Sequence, residues 1–312
     1  MPRCRARTGG PGAPGAGVLP GGDPGRGAIW RNGNLLAAAV RGAYLGRMRI
    51  PFVNRPPVVS VIRLHGAIGM AGRRGGLSDA SLAPVIQRAF RKGRPVAVAL
   101  SVNSPGGSPV QSSLIAARIR RLADETGLPV HAFVEDVAAS GGYWLACAAD
   151  QIWADDSSVL GSIGVISAGF GFPDLIARWG IERRVHTAGT SKSTLDPFRP
   201  ERPEDVARLH AILEPIHEAF KDHVRARRGS RLAEDADLFS GAFWAGRQAV
   251  DLGLADGIGH LVPRMKALHG ARTRFVVHAP RVPWFRRMGL SAETVLDAAQ
   301  ERLAFARFGT HQ

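Results

Sequence analysis

Between residues 58 and 134, short β-branched runs alternate with stretches of helical period, and this order restricts the chain to few architectures. Val58–Leu64 reads as a strand. Leu82, Val85, Ile86, Ala89 and Phe90 share one face of a helix closed by Gly93 and Pro95; Val96–Val102 reads as a buried strand. Val110–Thr126 makes a second helix, ended by Gly127 and Pro129, and Val130–Val134 a third strand. Alternation of this kind predicts an α/β unit of parallel strands with right-handed crossovers. Pro95–Ala117 is uncharged but is broken by Asn103-Ser104-Pro105-Gly106-Gly107-Ser108-Pro109, so it does not read as a membrane span.

Open α/β sheets gather ligands at the C-terminal ends of their strands, and three Gly/Ser-rich segments stand at such ends. The first, SVNSPGGS at 101–108, pairs glycines whose N–H groups can face an anion or a developing oxyanion. In the second, DVAASGGYWLACAA at 136–149, Ser140 precedes two glycines and an apolar helix. Serine there is ordinarily a cap, yet the glycines permit the tight turn and close backbone approach that suit a nucleophile. The third, SSVLGSIGVIS at 157–167, carries Ser162, by itself an ordinary serine of a buried strand end.

Only four of the 41 basic residues are lysine: Lys92, Lys192, Lys221 and Lys266. Lysine can be stripped of its proton by desolvation, whereas arginine stays charged. A lysine kept at 192 in so arginine-rich a chain therefore fits a role that arginine could not fill. Rival constellations are weaker. His186 lies near that lysine, and His210, His217 and His223 lack the i, i+4 spacing of a metal-binding helix. Glu135 and Asp136, adjacent on a strand, are expected to point to opposite faces. Two cysteines, Cys4 and Cys147, make neither a disulfide framework nor a C-x-x-C site.

The three segments, in this order and followed by HTAGTSKSTLDPF at 186–198 and GRQAVDLGLADGIG at 246–259, resemble the signal peptide peptidase A family of serine proteases over roughly residues 58–270. The resemblance implies the α/β fold of the caseinolytic protease and crotonases, a superhelix of repeated β-β-α units. It implies a Ser-Lys dyad, with Ser140 as nucleophile, Lys192 as general base and Ser162 positioning the lysine. Oxyanion donors would be the N–H groups of Gly107 and Gly141, in a substrate loop that includes Ser104 and Gly106. No metal or cofactor is implied. The substrates would be hydrophobic peptides such as remnant signal peptides. A ring-like homo-oligomer is also implied, and a single copy of each motif predicts a site shared between subunits. Two alternatives share the fold. One is a crotonase-like acyl-CoA enzyme, to which Gly246, Arg247, Ala249, Gly253, Leu254 and Asp256 would belong equally well, and the other is a catalytically silent scaffold.

The net charge of +15 is concentrated at the ends, with +8 in residues 1–57, +6 in residues 264–312 and only +1 between. Residues 1–27, rich in Gly, Pro and Arg, read as disordered, and Leu35–Ile50 as a short basic amphipathic helix that completes an N-terminal tail, 1–57. The peptidase domain is expected over 58–270, and a basic amphipathic tail over 271–312 with a helix from about Ala292 to Phe308. Arg interleaved with Trp30, Tyr44, Trp284 and Phe285 suits an anionic lipid surface better than nucleic acid, which is not expected as a partner. No 18-residue apolar segment precedes the core, so the expected location is cytoplasmic, peripheral at the inner face of the membrane.

Overall fold

In the computed structural model, which describes residues 55–69, 76–280, 299 and 302–309, the strand–helix alternation builds one unit running from Arg55 onward. β1 (Val58–His65), α1 (Asp79–Arg91), β2 (Ala97–Ser104), α2 (Pro109–Thr126) and β3 (Val130–Ala139) follow in order. α1 starts at a reciprocal Ser78–Ser81 cap and buries Leu82, Val85, Ile86, Ala89 and Phe90, the residues its period singles out. α2 starts with Ser108 as cap and Pro109 in its first turn, and stops at Gly127, where φ is +65°.

The remaining elements are α3 (Gly141–Ala146), β4 (Gln151–Ala154), β5 (Val159–Gly161), α4 (Pro173–Arg178), α5 (Pro203–Arg228), β6 (Phe243–Ala245), α6 (Gly246–Asp251), β7 (Gly257–Ile258), α7 (Leu261–His269) and β8 (Arg274–His278). Eight strands form one mixed sheet in the order β6-β5-β3-β2-β1-β8, with β4 pairing β3 and β7. Every pairing is parallel except β5 with β6. β2 is buried at every position, as a central strand covered on both faces must be. One face packs Ile62, Leu64, Leu100 and Val102 against the apolar sides of α1 and α2, and the other places Val61, Ala99 and Phe133 against Trp153 and Met265.

β3 runs five residues past its expected end at Val134. The pairing Val102↔Val134 is followed by Ser104↔Ala138, so two steps along β2 oppose four along β3. That bulge lets the first half of β3 pair with β4 and the second half with β5, which carries the strand to the residue before Ser140. It also corrects the expected alternation of Glu135 and Asp136, both of which are exposed. Glu135 accepts from Ser101 Oγ at 2.6 Å and lies 3.3 Å from His65 Nε2, while Asp136 accepts from Asn103 Nδ2 at 2.6 Å.

The domain boundary expected at 270/271 is also corrected. β8 extends the sheet beside β1, and Phe305 and Phe308 are buried against Val137 and Ala139 of β3. The apolar side of the expected C-terminal amphipathic helix is thus consumed by the core over residues 302–309. The N-terminal tail, the Leu35–Ile50 helix and Trp284-Phe285 lie outside the described residues. Among the described residues no helix is long and apolar enough to cross a membrane.

Candidate active site

Ser140 stands between β3 and α3 with φ +52° and ψ −123°. A left-handed φ costs a residue with a β-carbon roughly 1–2 kcal/mol. The turn is held by Ser140 N–H donating to Gly161 O at 2.8 Å and by Trp144 N–H donating to Ser140 O at 3.0 Å. Its side chain does not cap α3; it lines a cavity of about 700 Å³ instead. The strain and the missing cap bond separate Ser140 from the ordinary capping serine.

The Gly-Gly loop lies across this turn. Gly106 has φ +101°, and a β-carbon placed on it would come within 2.7 Å of Ser140 Cβ. Ile68 N–H donates to Gly106 O at 2.8 Å, and Ser108 N–H donates to Ile68 O at 2.9 Å. Because the groups flanking Gly107 face Ile68 in this parallel bridge, the N–H of Gly107 itself faces the other way. Gly141 opens α3, where N–H groups have no acceptor within the helix. A β-carbon on Gly141 would lie 3.4 Å from Gly107 N, so the two N–H groups are neighbours beside the serine.

Ser162 also has positive φ, +51°, and lines the same cavity. Its backbone is pinned by Ser162 N–H donating to Ala242 O at 2.6 Å. Ser104 does not face the cavity. It is buried, donates to Gly66 O at 2.7 Å and accepts from Gly106 N–H at 3.3 Å, and so braces the loop from behind. Lys192 lies apart from these residues, exposed in a turn of the segment 165–199 and not among those lining the cavity of its own chain. The same segment exposes Phe170, Trp179 and Ile166, and the first half of α5 leaves Ile212 exposed.

The rival groups have other employment. Burial pushes the Cys147 thiol up to about 12, which removes it as a nucleophile. His217 and His223 bond the carbonyl oxygens of Ile163 and Trp144, and His223 stacks on Trp144. The 246–259 pattern is structural: Ala249 and Leu254 are buried, and Asp256 pairs with Arg228 at 2.7 Å and Arg231 at 3.1 Å. Sequence reasoning missed the walls of the cavity, which come from Leu213 and Ile216 of α5 and from Ala304, Arg307 and Phe308. The i, i+3 spacing of the first pair is a visible signal, whereas nothing in the sequence ties residues 304–308 to Ser140.

Residues 123–271 match the profile described as Peptidase family S49. The protein named Na(+)/H(+) antiporter NhaA in Brucella melitensis is 46% identical over 270 residues, 80% of this chain and 37% of that one. Serine protease SPPA, chloroplastic, of Arabidopsis thaliana is 30% identical over 65% of this chain and 31% of its own length. Protease 4 of Haemophilus influenzae is 30% identical over 82% of this chain and 43% of its own length. The chain therefore spans less than half of each of these relatives. The S49 match contains Ser140, Ser162 and Lys192 at the places the motifs assign them, and the chain belongs to peptidase family S49, the signal peptide peptidase A family of serine peptidases.

Proposed function

We propose that the chain cleaves hydrophobic peptides, remnant signal peptides among them, with Ser140 as nucleophile and with Lys192 supplied by a neighbouring copy. The observation that carries this reading is the strained Ser140 turn in a largely apolar cavity that lacks the Lys192 of its own chain. In the first step Ser140 Oγ bonds to the peptide carbonyl carbon and its proton passes to a neutral Lys192 Nζ. The oxyanion sits on Gly107 N–H and Gly141 N–H. The C–N bond then breaks as Lys192 returns the proton to the leaving amine, and water, deprotonated by the same lysine, releases the acyl group from Ser140. A base of this kind must be desolvated to be neutral at moderate pH. Packing of the exposed Phe170, Trp179 and Ile166 against a second copy would supply that burial, with Ser162 holding the amine.

On this reading the subunits close into a ring, each unit being a version of the caseinolytic protease and crotonase superhelix. The basic ends rest on an anionic membrane surface at its cytoplasmic side. The test mixes Ser140→Ala with Lys192→Ala protein, each inactive alone. Random exchange places an intact Ser140 beside an intact Lys192 in roughly a quarter of the sites, and activity should recover to that fraction. No recovery on exchange overturns the shared site, and failure of a fluorophosphonate to label Ser140 overturns the peptidase.

A further inference from the structure

The Ser140 cavity is lined by apolar side chains, glycines, prolines and serines, and by one charged group, Arg307. Its position is built. Phe305 and Phe308 are buried against Val137, Ala139 and Val159, and Phe308 meets Phe243 edge-on at 5.2 Å between ring centroids. The Arg307 guanidinium lies 5.7 Å from the centre of the Phe308 ring. Among the described residues no carboxylate pairs with Arg307, whereas Arg118, Arg120, Arg202, Arg228 and others on this chain are paired. An unpaired guanidinium on the wall of a neutral cleft offers a fork of donors to one kind of peptide group, a carboxylate.

We propose that Arg307 is a specificity-determining residue that holds a carboxylate of the peptide beside Ser140, with Phe308 as the wall that fixes it. This rests on the peptidase reading of the cleft and narrows its substrates to apolar peptides with one anionic group near the scissile bond. Two sources share that chemistry: the free α-carboxylate of a fragment left by an earlier endoproteolytic cut, and an Asp or Glu side chain. If the α-carboxylate is the source, the enzyme follows a peptide-bond hydrolysis that generates such an end.

The test compares kcat/KM of the full chain on three fluorogenic apolar peptides of one length. One has a free C-terminal carboxylate, one a C-terminal amide, and one a C-terminal amide with an internal Glu. Charge-assisted recognition at an exposed guanidinium predicts a preference of about tenfold for a carboxylate-bearing peptide over the plain amide. The preferred arm identifies the source. Arg307→Gln should bring the preference near one, Arg307→Lys should keep part of it, and Arg307→Glu should reverse it. Phe308→Ala should weaken the preference by loosening the wall, and an unchanged melting temperature for Arg307→Gln excludes misfolding as the cause. Cleavage of all three peptides at one rate, or a preference that survives Arg307→Gln, overturns the inference while leaving the peptidase intact. No cleavage and no Ser140 labelling overturn both.

Discussion

Gly106→Ala tests the catalytic geometry through a single methyl group that touches no reacting atom. At φ +101° the added β-carbon would stand 2.7 Å from Ser140 Cβ, 2.9 Å from Ala139 O and 2.9 Å from Gly141 N. Relief to an ordinary 3.4 Å contact requires a shift of about 0.7 Å. The opposing atoms are backbone or the β-carbon of the nucleophile, so the loop must do most of the moving and would carry Gly107 N–H with it. A displacement of that size takes one oxyanion donor out of reach, and loss of one donor costs roughly 100- to 1,000-fold in kcat, about 2.7–4 kcal/mol. The unfavourable φ adds about 1–2 kcal/mol to the folded state. Steady-state kinetics on a fluorogenic apolar peptide should therefore show kcat falling at least 100-fold with KM little changed, alongside a lowered melting temperature. Wild-type kcat in Gly106→Ala would refute the assignment of Gly107 N–H as an oxyanion donor.

Other outcomes follow from the same contacts. Ser140→Gly should remove the left-handed strain and raise unfolding free energy in urea by about 1 kcal/mol while abolishing fluorophosphonate labelling, whereas Ser140→Ala should abolish labelling without the gain. Phe220→Ala, which removes the ring stacked on Trp144 at 4.7 Å, should cost about 3–5 kcal/mol and loosen α5, read as faster amide exchange over Phe220–Arg228. Asp256→Asn leaves buried Arg228 short of its partner and should cost about 3–5 kcal/mol by denaturant titration. Burial alone would raise the Asp256 carboxyl, but Arg228, the Ile152 N–H and Arg231 hold it below its ordinary value. Its contribution is therefore complete above the unfolded-chain value of about 3.9 and disappears as pH falls through the lower folded value. Stability of Asp256→Asn should lack that acid-side loss, and a wild-type acid limb in the variant would refute the pairing.

How far each part was legible in the sequence depends on the range of the interaction that decides it. α1 and α2 were legible because period, caps and terminating glycines act within one turn of chain. Ser140 and the Gly-Gly loop were legible because Gly106, Gly107, Gly141 and Gly142 mark backbone that a β-carbon would obstruct, and the ordered motifs supplied the rest. The extension of β3 to Ala139 was not, since a four-against-two bulge is set by pairing with β2 and β5 and not by residue type. Nor was the reassignment of residues 302–309, because an amphipathic stretch is indifferent to whether lipid or the core receives its apolar side.

The sequence by itself determined the alternating architecture, the residue types of the nucleophile turn and the lysine that only desolvation could make a base. Tertiary structure alone decided that Ser140 is strained and uncapped, that Ser104 braces the loop, that Lys192 stands outside the cavity of its own chain, and that Arg307 stands on its wall. Helical period and turn chemistry are local, whereas these placements depend on contacts between residues tens to hundreds of positions apart, and such contacts exist only once the sheet has formed.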